Sequence, residues 1–216
     1  MIKKIGLPIS IKAYVIVEQP LPPRVMSRKA DRPTFRSYLA EPNDPALARL
    51  PIAPETIKFR FDQGAECMIL MTNDEVAGCL WFTFNPFIED EVRCKFTPAP
   101  EAEACWDFDL FIHPQFRFTR AMNDLWADAA LEMESRGARR TFSRISVFNL
   151  RSLRSHQRLG AAPVARIDFF YCWGAQLMIG DVKPWIHFGW KNDDFPHLLI
   201  VSSAHSEAGR NAGRPS

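Results

Sequence analysis

The second half of the chain alternates between two hydrophobic periods, and that alternation constrains the fold more than any other feature. Residues 105–112 (CWDFDLFI) form a strand-like run closed by Pro114, which cannot extend a ladder. Ala121, Leu125, Ala129 and Met133 then recur at a spacing of four, which predicts a helix from about Thr119 to Arg136. Gly137 follows as a left-handed cap. The pattern repeats with a strand at 140–148, a basic helix at 150–159 ended by Gly160, and strands at 164–173 and 175–180. Strands and helices taken in turn call for a sheet covered by helices.

The first half fits the same sheet. Residues 12–18 (KAYVIVE) read as a strand. Residues 66–72 (ECMILMT) and 76–84 (VAGCLWFTF) flank Asn73-Asp74-Glu75, which predicts a β-hairpin. Between them, 24–56 carries weak helical patterns at Thr34–Leu39 and Asp44–Leu50, kept short by Pro42, Pro45, Pro51 and Pro54. Residues 185–201 are expected to pack on the sheet, and the small polar residues from Ser202 onward read as a disordered tail. The expectation is one α/β domain over 1–201, with a mixed sheet and helices on both faces, followed by a tail at 202–216.

Composition removes several function classes. With 27 basic and 25 acidic residues the net charge is +2, which excludes a highly charged disordered chain and a nucleic-acid coat. No apolar run approaches the roughly 20 residues of a membrane span. The five cysteines are odd in number and none is spaced C-x-x-C, which argues against a disulfide framework or a zinc ribbon and for a reducing, cytoplasmic location. No metal-ligand cluster is visible in the sequence.

Three segments taken together resemble the Gcn5-related N-acetyltransferase (GNAT) superfamily. VAGCLWF (76–82) is similar to the end of that family's central hairpin. DLFIHPQFRFTRAMNDLW (109–126) is similar to its fourth strand, pyrophosphate loop and following helix. NLRSLRSHQRLGAAPV (149–164) is similar to its late motif. The resemblance covers roughly 60–175 and implies a GNAT-like, mostly antiparallel central sheet. It also implies direct transfer of an acyl group from acetyl-CoA or another acyl-CoA to an amine of a small molecule, without a metal. Two other readings stand beside it. One is a long-chain N-acyltransferase served by acyl carrier protein; the other is a non-catalytic GNAT-like binding module. A homodimer is an open default.

The resemblance also assigns residues. The acyl carbonyl would be polarised by a backbone N–H near Leu110, Phe111 and Ile112. The pyrophosphate would meet Arg117, Phe118, Thr119, Arg120 and Ala121, at a loop entering a helix, where unpaired N–H groups and the helix dipole favour anions. The family's loop is usually Arg/Gln-x-x-Gly-x-Gly/Ala, whereas here Arg120 and Met122 stand at the small positions. Either those side chains obstruct the phosphates, or Arg117 and Arg120 pair with them directly. Asn149 and Ser152 would sit by the pantetheine arm, and Asn149 also reads as a helix N-cap. His156 falls where the family often has a tyrosine that protonates the leaving thiolate; as an imidazolium it can serve as that acid.

For the base, Asp107 and Asp109 are two apart in a strand and are expected on one face, opposite Trp106, Phe108 and Leu110. Glu66 and Glu103 are alternatives, and Asp168 and Tyr171 are candidates for an acceptor pocket. Trp81, Trp106, Trp173, Trp185 and Trp190 are expected to pack. Nine arginines against four acids over 117–158 give a local +5, read as a footprint for an anionic cofactor.

Overall fold

A computed structural model describes residues 9–22, 35–191 and 193–202. The elements run β1 (Ile9–Pro20), β2 (Arg36–Ala40), α1 (Pro54–Asp62), β3 (Glu66–Thr72), β4 (Glu75–Thr83), β5 (Phe87–Ile88) and β6 (Lys95–Ala99). They continue as β7 (Ala104–Ile112), α2 (Ala121–Ser135), β8 (Arg140–Ser146), α3 (Leu150–Arg158), β9 (Ala162–Cys172), β10 (Ala175–Gly180), β11 (Ile186–Gly189) and β12 (His197–Val201). Nine strands form one sheet in the order β11-β10-β9-β1-β8-β7-β4-β3-β2, and β12-β6-β5 form a second, smaller one. Neighbours in the large sheet are antiparallel except β7 and β8.

The predicted hairpin is present. Asn73 and Asp74 both have positive φ, as its tight turn demands, and Gly137 and Gly160 close α2 and α3 with φ of +97° and +94°. One face of the large sheet is covered by α2, whose Leu125, Trp126, Ala129 and Met133 bury against Leu80, Phe82 and Cys105. The opposite face carries α1 and the small sheet, with Trp81, Trp106, Phe142, Phe96 and Leu198 in one cluster. Among the described residues no helix is long and apolar enough to cross a membrane.

Three expectations are corrected. Arg36–Ala40, read as helical, is an edge strand on β3, because Phe35 and Leu39 gain burial against the α2-side core; Thr34 lies outside the described residues. Pro54, read as a breaker, starts α1 at its first turn, where a missing N–H is harmless. The 185–201 segment divides between two sheets, and Trp173, Trp185 and Trp190 are exposed while Trp81 and Trp106 are fully buried. Ser202 is buried and donates to Glu18 Oε1 at 2.9 Å; the rest of the expected tail lies outside the described residues.

Candidate active site

The parallel pairing of β7 and β8 runs from Ala104 with Arg140 to Asp107 with Ser143 and stops. On its other side β7 stays with β4 as far as Ile112. The two parallel strands therefore part, and those peptide groups of Phe108–Ile112 that point away from β4 face the gap. A register shift lies opposite: Trp81 pairs with Phe108, but Cys79 pairs with Phe111, so β7 carries one extra residue at the fork. Asp109, with φ +50°, sits in this bulge.

The bulge overturns the expected alternation. Asp107 stays on the α2 side, where its Oδ1 accepts from Thr141 Oγ1 at 2.6 Å. Asp109 instead meets Arg60 at 2.7 Å, and Arg60 lies over the rings of Trp81 and Phe108 on the opposite side of the sheet. Beyond it Leu110 packs with the α2-side core and Phe111 with the other. A strand's two-residue period holds only without an inserted residue.

At the fork lies a cavity of about 560 Å³. It brings together six of the residues singled out in the sequence: Asp107, Asp109, Leu110, Asn149, Ser152 and His156. Asn149 caps α3, its Oδ1 accepting from the Ser152 N–H at 3.1 Å. Phe111, Ile112, Arg117, Phe118, Thr119, Arg120 and Ala121 do not line the cavity. The alternatives lie elsewhere too. Glu66 pairs with Arg136, Glu103 with Arg139 and Arg140, Asp168 with Arg166, and the Tyr171 hydroxyl donates to Gln176 Oε1.

Burial sets the charge states. Asp107 is 2% exposed, and loss of solvent pushes its pKa up to about 7 against the hydrogen bond from Thr141. His156, buried edge-on to Trp126, is pushed down to about 4. That corrects the expected imidazolium: the ring is neutral at pH 7, and its buried Nδ1 has no hydrogen-bond partner.

Sequence reading missed the opposite wall. Arg60, from α1, bridges Asp90 at 2.6 Å and Asp109 at 2.7 Å. Arg144, from β8, bridges Glu89 and Glu91, each at 2.9 Å, and stacks over Tyr14 at 4.1 Å. Burial raises the Glu89 pKa, with Arg144 opposing; burial also works against the Glu91 charge, but Arg144 and the Tyr14 hydroxyl outweigh it and hold that pKa low. These residues are scattered through the sequence, and their only local signal was the acidic run Glu89-Asp90-Glu91.

The arginine count also reads differently. Arg120, Arg136, Arg139, Arg140 and Arg144 are committed to acids, so the local +5 is not one cofactor footprint. At the α2 entrance, Arg117 Nε donates to the Ile112 carbonyl at 3.2 Å and Arg120 reaches Asp124 at 3.1 Å. Thr119 Oγ1 takes the Ala121 N–H, and Phe118 stands out in solvent beside Arg151. The first turn of α2 still presents N–H groups beyond that of Ala121. Such a helix start favours anions, and Arg120 and Met122 stand at the two positions where the resembled family usually has small residues.

No protein-family model matches the sequence, and no curated protein matches it. Solved structures do. A conserved protein of unknown function from Staphylococcus epidermidis matches with TM-score 0.51 and 10% identity, over 76% of this chain and 62% of that one. A protein from Novosphingobium aromaticivorans assigned to the GNAT family of acetyltransferases gives 0.51 and 13%, over 78% and 67%. A tandem GNAT protein from the clavulanic acid biosynthesis pathway gives 0.50 and 14%, over 74% and 53%. This chain thus spans about six-tenths of the length of the first and about half of the third. The fold is that of the Gcn5-related N-acetyltransferases.

Proposed function

We propose that the chain is an acyltransferase that moves an acyl group, most simply acetyl, from an acyl-CoA to an amine of a small molecule. The observation that carries this reading is the parting of β7 and β8 at Asp107 and Ser143, which opens a cavity holding a buried carboxyl poised near neutrality. An amine arrives as an ammonium ion and must lose a proton before it can attack; a base of pKa near 7 suits that task. Asp107 takes this proton. The nitrogen then attacks the thioester carbon, and the charge that develops on oxygen is met by a β7 peptide N–H beside the bulge. Collapse breaks the carbon–sulfur bond. The second nitrogen proton ends on sulfur, leaving an amide, a free thiol and one proton on Asp107. His156, being neutral, offers the departing sulfur a hydrogen bond rather than an acidic proton. Asn149 and Ser152 flank the thioester arm, and the α2 entrance holds the phosphates. This reading treats 1–201 as one acyltransferase domain.

The glycine-free entrance favours a second donor. Exposed Phe118, with Arg151 beside it, makes an apolar and basic spot suited to an acidic carrier protein. The test is amine-dependent thiol release from acetyl-CoA and from long-chain acyl carrier protein. Release from acetyl-CoA supports the first reading, and release from the carrier alone supports the second. No release, with no heat of CoA binding in a titration, leaves a non-catalytic module.

A further inference from the structure

α2 covers its side of the large sheet only in part, over β3, β4 and β7. Paired residues of neighbouring strands share a face, so the register traces the rest of that side. Ile11 of β1 pairs with Phe170 of β9, Phe170 with Leu177 of β10, and Leu177 with Phe188 of β11. Beside this row Ile179 pairs with Ile186, and Ile9 with Cys172. The alternate residues, Tyr14, Ile167, Phe169 and Met178, bury toward the small sheet, so these rows look the other way. Trp190 extends them, its ring 6.4 Å from that of Phe188.

Among the described residues this half of the face is left open. Ile9, Ile11, Ile179, Ile186, Phe188 and Trp190 are each 43–66% exposed. At about 200 Å² for a fully exposed side chain of this size, the six present about 700 Å² of apolar surface. The largest apolar patch of a monomer is usually about 300–600 Å². A stable complex buries about 800 Å² on each partner, and the half-buried Phe170 and Leu177 bring this face to that size. The charged residues that the register adds to it, Arg166 and Asp168, pair with each other at 3.3 Å. A flat apolar face without net charge asks for no partner of opposite sign. A second copy of the chain supplies its match.

We propose that this face is the interface of a two-fold homodimer, in which the β1-β9-β10-β11 faces of two copies pack as the layers of a sandwich. It goes beyond the transfer reading and does not rest on it, since none of the six residues lines the fork cavity. The test is sedimentation equilibrium of the full chain, for the parent and for Ile11→Lys and Phe188→Lys. Interfaces of this size hold at micromolar Kd or tighter, so the parent should show twice the chain mass of 24.7 kDa at about 10 μM. Each lysine should weaken association by about 10²-fold or more, because it puts an unpaired charge into a dry apolar layer. Far-UV circular dichroism should stay that of the parent, because both side chains are exposed in a single copy. Should a lysine prevent folding, Phe188→Gln replaces it, with a loss of about tenfold. A parent still at 24.7 kDa at about 100 μM overturns the proposal, and so does a dimer that every folded variant leaves intact. A monomeric parent that sediments with phospholipid vesicles would give the face to a membrane surface. A monomeric parent unfolded by either lysine would give it to another segment of the chain. Both results overturn the dimer.

Discussion

Asp107 and His156 are both buried in one cavity, and burial moves them in opposite directions, to about 7 and about 4. Each shift is a stability statement. Folded Asp107 holds its proton more tightly than its ordinary value of 3.8, so its contribution to stability falls as the pH rises from about 4 to about 7. Folded His156 holds its proton less tightly than the ordinary 6.5, so its contribution rises over about 4 to 6.5. Each slope is at most about 1.4 kcal/mol per pH unit, and in the intact protein they oppose one another. Urea melts at about pH 4.5 and about pH 6.5 separate them. Asp107→Asn should gain stability on the parent as the pH rises, and His156→Gln should lose ground. Variants that both track the parent would contradict these charge states. Strand spacing pointed to Asp107, and the resemblance to the family's late motif pointed to His156. Neither supplied their charge states, because those come from burial by β8, α2 and α3, which no local pattern records.

At the scale of elements, the β7 bulge decides the site. Gly78 on β4 pairs with Ile112 just beyond it, and a Cβ there would meet the Phe111 carbonyl oxygen and Ile112 Cδ1. Close backbone approach, not turn geometry, requires glycine here. Gly78→Ala should destabilise by about 1–3 kcal/mol, lowering Tm by roughly 2–4 °C for each kcal/mol, and should depress transfer by moving the peptide groups beside the fork. A thermal melt indistinguishable from the parent would show that β7 yields without strain. The hairpin, α2 and α3 were legible because each combines a strong period with its own turn or cap. The bulge was not, since one inserted residue leaves the eight-letter run 105–112 looking like an ordinary strand. β2 misled for a related reason: tertiary burial of Phe35 and Leu39 outweighed a weak local helical pattern. α1 was lost by treating every proline as a stop.

For the molecule as a whole, the near-neutral charge hides a division of labour. Several arginines of the 117–158 segment tie elements together, as Arg140 joins β8 to Glu18 on β1 and Arg136 joins α2 to Glu66 on β3. β1 lies between β8 and β9, so the start of the described chain completes the sheet behind the fork and brings Tyr14 to the cavity wall. Fold class could be read from element order; the acidic wall could not, because α1, the 89–91 segment and β8 meet only after folding. The most direct test of the account is thiol release from acetyl-CoA, dependent on an added small-molecule amine, followed against pH for the parent and for Asp107→Asn. The account predicts a kcat/KM that is lost as the pH falls through about 7, and a variant slower by about 10²-fold or more without that limb. Release that ignores the amine, or a variant with the parent's rate and pH profile, would contradict it.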